Sequence, residues 1–228
     1  MQWSRRWKRD PFHFWTIANL FVLLTILPCA RSVAAQDAMA ARIEHAEKEP
    51  QNWLTYYGNY GAWSYSPLNQ ITRENVKQLV PVWVFPAGHP TNSSLRAGLE
   101  AAPLVVDGVL YLVGMQNNVY AMDAATGRRL WNYIYPWPED KDIPGNKGVR
   151  GLAFGEGVVY MASQDDHIVA LDAKTGKEIW NVVIDDVFKC RCTITSAPLY
   201  VKGKVISGIA GGDAPFRGYI KAVDAKTG

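Results

Sequence analysis

Cys190 and Cys192, one residue apart, are the pair whose type and spacing most directly offer redox chemistry in this 228-residue chain. Thiols in an oxidising compartment tend to pair. A C-x-C pair closes a very small ring, however, and two same-face residues of a strand are poorly placed to close it. The spacing therefore predicts two buried or partner-seeking thiols, with a disulfide as the sharper alternative. Zinc is not indicated, because His13, His45, His89 and His167 are scattered along the chain.

The compartment is read from the first 35 residues. Arg5, Arg6, Lys8 and Arg9 precede the apolar run Ile17–Leu27, and Pro28 and the small residues Ser32-Val-Ala-Ala35 follow. This is the three-part layout of a secretory signal, cleaved after Ala35. A membrane anchor is the alternative, but the run is short beside the roughly 20 apolar residues that a span requires. The chain thus divides into a signal, 1–35, and a mature part, 36–228, with no membrane span after cleavage and a periplasmic location.

Composition narrows the classes. The chain is 48% hydrophobic, 12% aromatic and 20% charged, which excludes disordered, collagen-like and disulfide-dense proteins. Its net charge of +3 comes from the leader, where five basic residues face one acidic one, so the mature part is at about −1. A basic nucleic-acid-binding domain is excluded on that ground.

The elements that would position any site come from a repeat. Ala121-Met-Asp123-Ala-Ala-Thr126-Gly127 leads to Trp131, and Ala170-Leu-Asp172-Ala-Lys-Thr175-Gly176 leads to Trp180. A third copy, Ala222-Val-Asp224-Ala-Lys-Thr227-Gly228, ends the chain. Upstream of each copy lies an x-Gly pair between apolar runs: Asp107-Gly108, Glu156-Gly157 and Lys202-Gly203. Such pairs favour tight hairpins, because glycine accepts positive φ. Each unit of about fifty residues reads as a four-stranded antiparallel meander, the blade of a β-propeller. The tryptophans are expected to pack onto the next blade and find an N–H partner there. Thr72 is placed to N-cap a short helix. Val80-Pro-Val-Trp83-Val-Phe85 is expected to be the Trp strand of a blade whose other strands come from the far end of the chain.

Four stretches together resemble the pyrroloquinoline-quinone (PQQ) dependent alcohol dehydrogenases of the methanol and ethanol branch. They are Tyr65-Ser-Pro-Leu-Asn-Gln-Ile71, Leu99-Glu-Ala-Ala-Pro103, the Ala-x-Asp-x-x-Thr-Gly-x-x-x-Trp repeats, and Thr193-Ile-Thr-Ser-Ala-Pro198. The resemblance covers about residues 51–228. It implies an eight-bladed all-β propeller with PQQ and a divalent metal, calcium or a lanthanide, on its axis. It also implies oxidation of a small alcohol by hydride transfer, with a cytochrome c as electron acceptor. At about fifty residues per blade, the mature chain would supply three to four of the eight blades, the N-terminal part of the propeller.

Site residues follow from the resemblance position by position. Glu100 matches the glutamate that hydrogen-bonds PQQ. Arg150 matches the arginine at its carboxylates, where a planar, permanently charged fork is apt. Thr195 matches a threonine that bonds a cofactor carboxylate. Ala210, Gly211 and Gly212 match a turn of small residues that approaches the cofactor, and Asp213 stands where the family has a glutamate metal ligand. Both carboxylates are hard oxygen donors suited to calcium. The family's adjacent cysteine pair falls here at about Pro144-Gly145, so Cys190 and Cys192 are expected, as an alternative placement, near the cofactor mouth. The catalytic base and the aromatic floor belong to blades beyond Gly228 and are not assigned. The nearest alternatives are a PQQ-dependent sugar or aldehyde dehydrogenase and a non-catalytic periplasmic propeller scaffold.

Overall fold

In the computed structural model, residues 38–87, 99–138, 143, 148–211, 215 and 217–228 are described. The leader, Pro144-Gly145, Gly212 and Asp213 lie outside them. No helix among the described residues is long and apolar enough to cross a membrane.

Two complete four-stranded blades and three strands of another make up the described sheets. The first holds β1 (Leu104–Val106), β2 (Val109–Val113), β3 (Val119–Asp123) and β4 (Arg129–Tyr133). The second holds β5 (Leu152–Gly155), β6 (Val158–Ala162), β7 (His167–Asp172) and β8 (Glu178–Val183). The third holds β9 (Leu199–Val201), β10 (Lys204–Gly208) and β11 (Ile220–Asp224). Strands pair in chain order and antiparallel throughout, the expected meander.

Each β1–β2-type hairpin turns on the pair named from the sequence. Asp107 and Gly108 have φ of 50° and 81°, Glu156 and Gly157 of 54° and 74°, and Lys202 and Gly203 of 44° and 71°. Two successive positive φ values are the signature of the hairpin turn whose twist matches that of the flanking strands.

The second repeated turn is built by its own side chains. Asp123 Oδ1 accepts from Thr126 N and Thr126 Oγ1, both at 2.8 Å. Asp172 accepts likewise from Thr175 N at 2.8 Å and Thr175 Oγ1 at 2.7 Å. In the third copy Asp224 accepts from Thr227 N at 3.1 Å and Oγ1 at 3.3 Å. These bonds favour the charged carboxylates, and the Asp123 and Asp172 groups are held below the usual range chiefly by the threonine hydroxyls.

The tryptophans join the blades. Trp83 Nε1 donates to Ala124 O (3.2 Å), Trp131 Nε1 to Ala173 O (2.9 Å) and Trp180 Nε1 to Ala225 O (3.2 Å). Every acceptor lies in the Asp-Ala-x-Thr-Gly turn of the next blade. The turn glycine lets the indole lie close: a Cβ on Gly176 would stand 2.5 Å from the Trp131 ring. Two tyrosines reinforce the same carbonyls, with Tyr111 Oη donating to Ala173 O at 3.2 Å and Tyr160 Oη to Ala225 O at 3.1 Å. Tyr200 stacks on Tyr160 with centroids 5.9 Å apart and planes 9° apart. The core runs continuously through the blade interfaces, with Leu104, Leu152, Ile168, Leu171 and Val205 all fully buried.

Two smaller expectations meet the structure differently. Thr72 Oγ1 accepts from Glu74 N at 3.2 Å, but the 3₁₀ turn Val76–Gln78 that follows has Asn75 as its N-cap and no side-chain cap bond, so Thr72 does not cap it. Residues 80–85 form no strand: they join no ladder among the described residues, and Val82 and Val84 are exposed. Trp83 nevertheless docks on the first blade, so this segment holds its place through the indole without ladder bonds.

Candidate functional site

Glu100, Arg150 and Thr195 each precede the first strand of a successive blade, β1, β5 and β9, so all three fall at one end of the sheets. The backbone ties these entries together. Ala102 N donates to Arg150 O and Arg150 N donates to Thr195 O, both at 2.9 Å. A parallel bridge between Ala102 and Gly151 continues the link. Gly151 sits where a Cβ would meet Tyr56 at 3.1 Å and Ala102 O at 3.3 Å, so the strand entries approach closely at a position without a side chain.

On that backbone the three side chains converge. Arg150 Nη1 donates to Thr195 Oγ1 at 2.7 Å, and Arg150 Nη2 lies 3.6 Å from Glu100 Oε2. The Arg150 and Glu100 side chains are 41% and 45% exposed, so the fork faces open space and is not consumed by the core. With its oxygen accepting from Arg150, the Thr195 hydroxyl keeps its own proton to donate. The donor set is therefore a half-exposed guanidinium fork beside a buried hydroxyl, flanked by one half-exposed carboxylate. That chemistry fits a planar group carrying several carboxylates.

Ala210 and Gly211 join the same end. Ala210 N donates to Thr193 O at 2.7 Å, two residues before Thr195, and Gly211 has φ of 122°, open to glycine. Gly212 and Asp213, the proposed backbone approach and metal ligand, lie outside the described residues. A hollow of about 280 Å³ opens beside Arg150, lined also by Ser196, Pro198, Tyr56, Tyr57 and Tyr60.

The cysteines differ from the expectation of unpaired thiols. Cys190 and Cys192 form a disulfide. They do not lie on a strand. Cys190 ends the short helix α1 (Val187–Cys190), and Arg191 takes a left-handed conformation with φ of 53°. That turn brings the Cα atoms to 5.1 Å, within the range a disulfide spans. Asp186 caps α1 by accepting from Phe188 N and Lys189 N. The segment then runs directly through Thr193 to Thr195, which places the disulfide on the same end of the blades as the three converging residues.

One further residue was not visible in the sequence reading. Asp166, in the turn between β6 and β7, is fully buried, and its carboxyl lies against both sulfurs at 3.4 and 3.5 Å. Burial, with Asp185 and Asp165 nearby, pushes its carboxyl up to about 7. Its neighbour Asp165 instead accepts from Tyr135 Oη and Ser163 Oγ. Nothing in the bare pair Asp165-Asp166 distinguishes the two. The positive φ of Asp166, 64°, is what turns it inward.

The glucose/ethanol/alcohol dehydrogenase β-propeller domain family matches residues 53–228. The chain belongs to this family of quinoprotein propellers. It is 41% identical over 193 residues to the quinohemoprotein alcohol dehydrogenase ADH-IIG of Pseudomonas putida, covering 82% of this chain and 26% of that protein. It is 36% identical over 229 residues to methanol dehydrogenase [cytochrome c] subunit 1 of Methylobacterium organophilum, covering 94% of this chain and 34% of the relative. Among solved structures, ADH-IIG of Pseudomonas putida matches with a TM-score of 0.70 at 40% identity, over 82% of this chain and 27% of that one. A europium-containing methanol dehydrogenase also matches with a TM-score of 0.70, at 36% identity, over 82% and 32%. The chain spans from about a quarter to about a third of the length of these relatives. Within the quinoprotein family, then, the described blades are one sector of a propeller.

Proposed function

We propose that this chain is the N-terminal sector of a periplasmic PQQ-dependent dehydrogenase that oxidises an alcohol and passes electrons to a cytochrome c. The observation that carries this reading is the convergence of Arg150, Thr195 and Glu100 from three successive blades. Bound PQQ would supply a quinone able to accept a hydride from the alcohol carbon. Arg150 would hold cofactor carboxylates by paired N–H bonds, and Thr195 would donate its hydroxyl to one of them. Glu100 would accept a hydrogen bond from the cofactor while its charge keeps the Arg150 fork oriented. Ala210, Gly211 and Gly212 would bring backbone close to the ring system, and Asp213 would offer an oxygen to calcium or a lanthanide. Proton removal from the alcohol is left to residues beyond this sector.

A sugar or aldehyde dehydrogenase of the same family would use the same cradle with a different substrate pocket. A non-catalytic scaffold would share the tryptophan docking but has no use for a guanidinium, a hydroxyl and a carboxylate meeting at the axis. The deciding measurement is a PQQ titration of the protein extended to its full length, followed by quenching of tryptophan fluorescence. Glu100→Ala and Arg150→Ala are expected to weaken binding. Unchanged affinity in both variants would overturn the assignment.

A further inference from the structure

We propose that Cys190, Cys192 and Asp166 form a thiol–disulfide exchange site for a dithiol, in which Asp166 protonates the Cys192 sulfur as it leaves. The proposal stands apart from the alcohol chemistry and does not rest on it.

The contacts themselves favour a proton at Asp166. Both sulfurs are bonded to each other and carry no S–H, yet Asp166 Oδ2 lies 3.4 Å from Cys190 Sγ and 3.5 Å from Cys192 Sγ. A carboxylate in that place would face two lone-pair-bearing atoms; a carboxylic acid can donate its O–H to them. Asp166 is fully buried, and its Oδ1 has no hydrogen-bond partner among the described residues. Burying a carboxylate with one oxygen left without a partner is costly, so the neutral acid is favoured. The groups that face it are Asp185 and Asp165, which raise its proton affinity, and Lys221 and the Ile194 N–H, which lower it. Tyr219 also lies near enough to sense its charge.

The pair is asymmetric. Cys190 is partly exposed, whereas Cys192 is 1% exposed, so a reductant reaches Cys190 Sγ first. Cys190 Sγ also accepts from Cys192 N at 3.2 Å, a donor that favours a thiolate there. An incoming thiolate bonds to Cys190 Sγ, the Cys190–Cys192 bond breaks, and its electron pair goes to Cys192 Sγ. That sulfur takes the Asp166 proton, and the carboxylate left behind regains one from solvent. The second thiolate of the dithiol then attacks the first, closes its own disulfide and releases Cys190 Sγ as a thiolate. The protein disulfide gains two electrons and the dithiol loses two.

The test is the rate of reduction of the intact chain by excess dithiothreitol between pH 5.5 and 8.5, quenched by alkylation and read by mass spectrometry. Rates are divided by the dithiothreitol thiolate concentration. In the wild type the corrected rate should fall about tenfold or more across pH 7, as the acid is lost. In Asp166→Asn it should be flat with pH and about tenfold slower than wild type at pH 6. Should that variant fail to fold, Asp166→Gly suits the left-handed backbone at this position and gives the same readout. A flat corrected rate in the wild type, or a decline that persists in the folded variant, would overturn the proposal.

Discussion

Arg150 reaches Thr195 twice, once through its backbone N–H to the carbonyl at 2.9 Å and once through Nη1 to Oγ1 at 2.7 Å. The first bond joins the segments that lead into two successive blades; the second aims a guanidinium. Because separate atoms serve the two roles, they can be separated by mutation.

Thr195→Val keeps the backbone bond and the side-chain shape but removes the hydroxyl. Its expected effect is little change in thermal midpoint and a loss of about tenfold in PQQ affinity, the scale of one hydrogen bond to a charged group. Titration of wild type and variant, alongside their melting curves, checks this. A variant that melts early yet binds PQQ normally would place Thr195 in the scaffold only.

Arg150→Lys addresses the fork itself. Lysine retains the charge but presents a point, not two parallel donors, so recognition of a carboxylate should suffer although electrostatics are kept. We expect PQQ affinity between that of the wild type and that of Arg150→Ala. Equal affinity for the lysine variant and the wild type would mean that charge alone is recognised.

Much of the fold was legible because its turns are written in short-range chemistry. Asp107-Gly108 announces a hairpin by glycine's tolerance of positive φ, and Asp123 with Thr126 announces a turn by bonds three residues apart. The Trp131 contact was inferred from its periodic recurrence. Its phenolic companions were missed, although Tyr111 and Tyr160 keep the same place in their repeats. A tyrosine on a strand does not say where its hydroxyl goes. The site residues depended on family resemblance, since isolated Glu100, Arg150 and Thr195 look like ordinary strand-entry residues. The C-x-C spacing leaves the disulfide only an alternative, because strand geometry would hold the sulfurs poorly, whereas α1 and the left-handed Arg191 bend the chain and bring them together.

The blade joint offers a graded test. Trp131→Phe keeps a ring against Gly176 but loses the N–H bond to Ala173, and should cost about 1 kcal/mol. Trp131→Ala empties the joint and should cost about 3–5 kcal/mol. Gly176→Ala should also be severe, because φ there is 72° and the new Cβ would stand 2.5 Å from the indole. Denaturant unfolding of the three variants checks the order. A harmless Gly176→Ala would show that the indole does not lie against this turn.

Asp166 gives the chain a pH dependence of predictable sign. Its folded-state carboxyl is pushed up to about 7, above its ordinary value near 4 in an unfolded chain, so between those values the folded state holds the proton more tightly. The stability it contributes is therefore complete below about pH 4 and declines as pH rises through about 7. The repeated-turn carboxylates act in the opposite sense. Asp123 and Asp172 sit below their ordinary values, so their contribution is present above about pH 4 and is lost as pH falls through their lower folded values. Of these groups both contributions are complete together only near pH 4, so stability should be highest there and decline between about pH 4 and 7. Asp166→Asn should remove the decline on the alkaline side while leaving the acid side unchanged. Denaturant midpoints measured from pH 3 to 9 for the two proteins would show it, and parallel declines above pH 4 would mean that Asp166 holds its proton no more tightly in the folded chain than in the unfolded one.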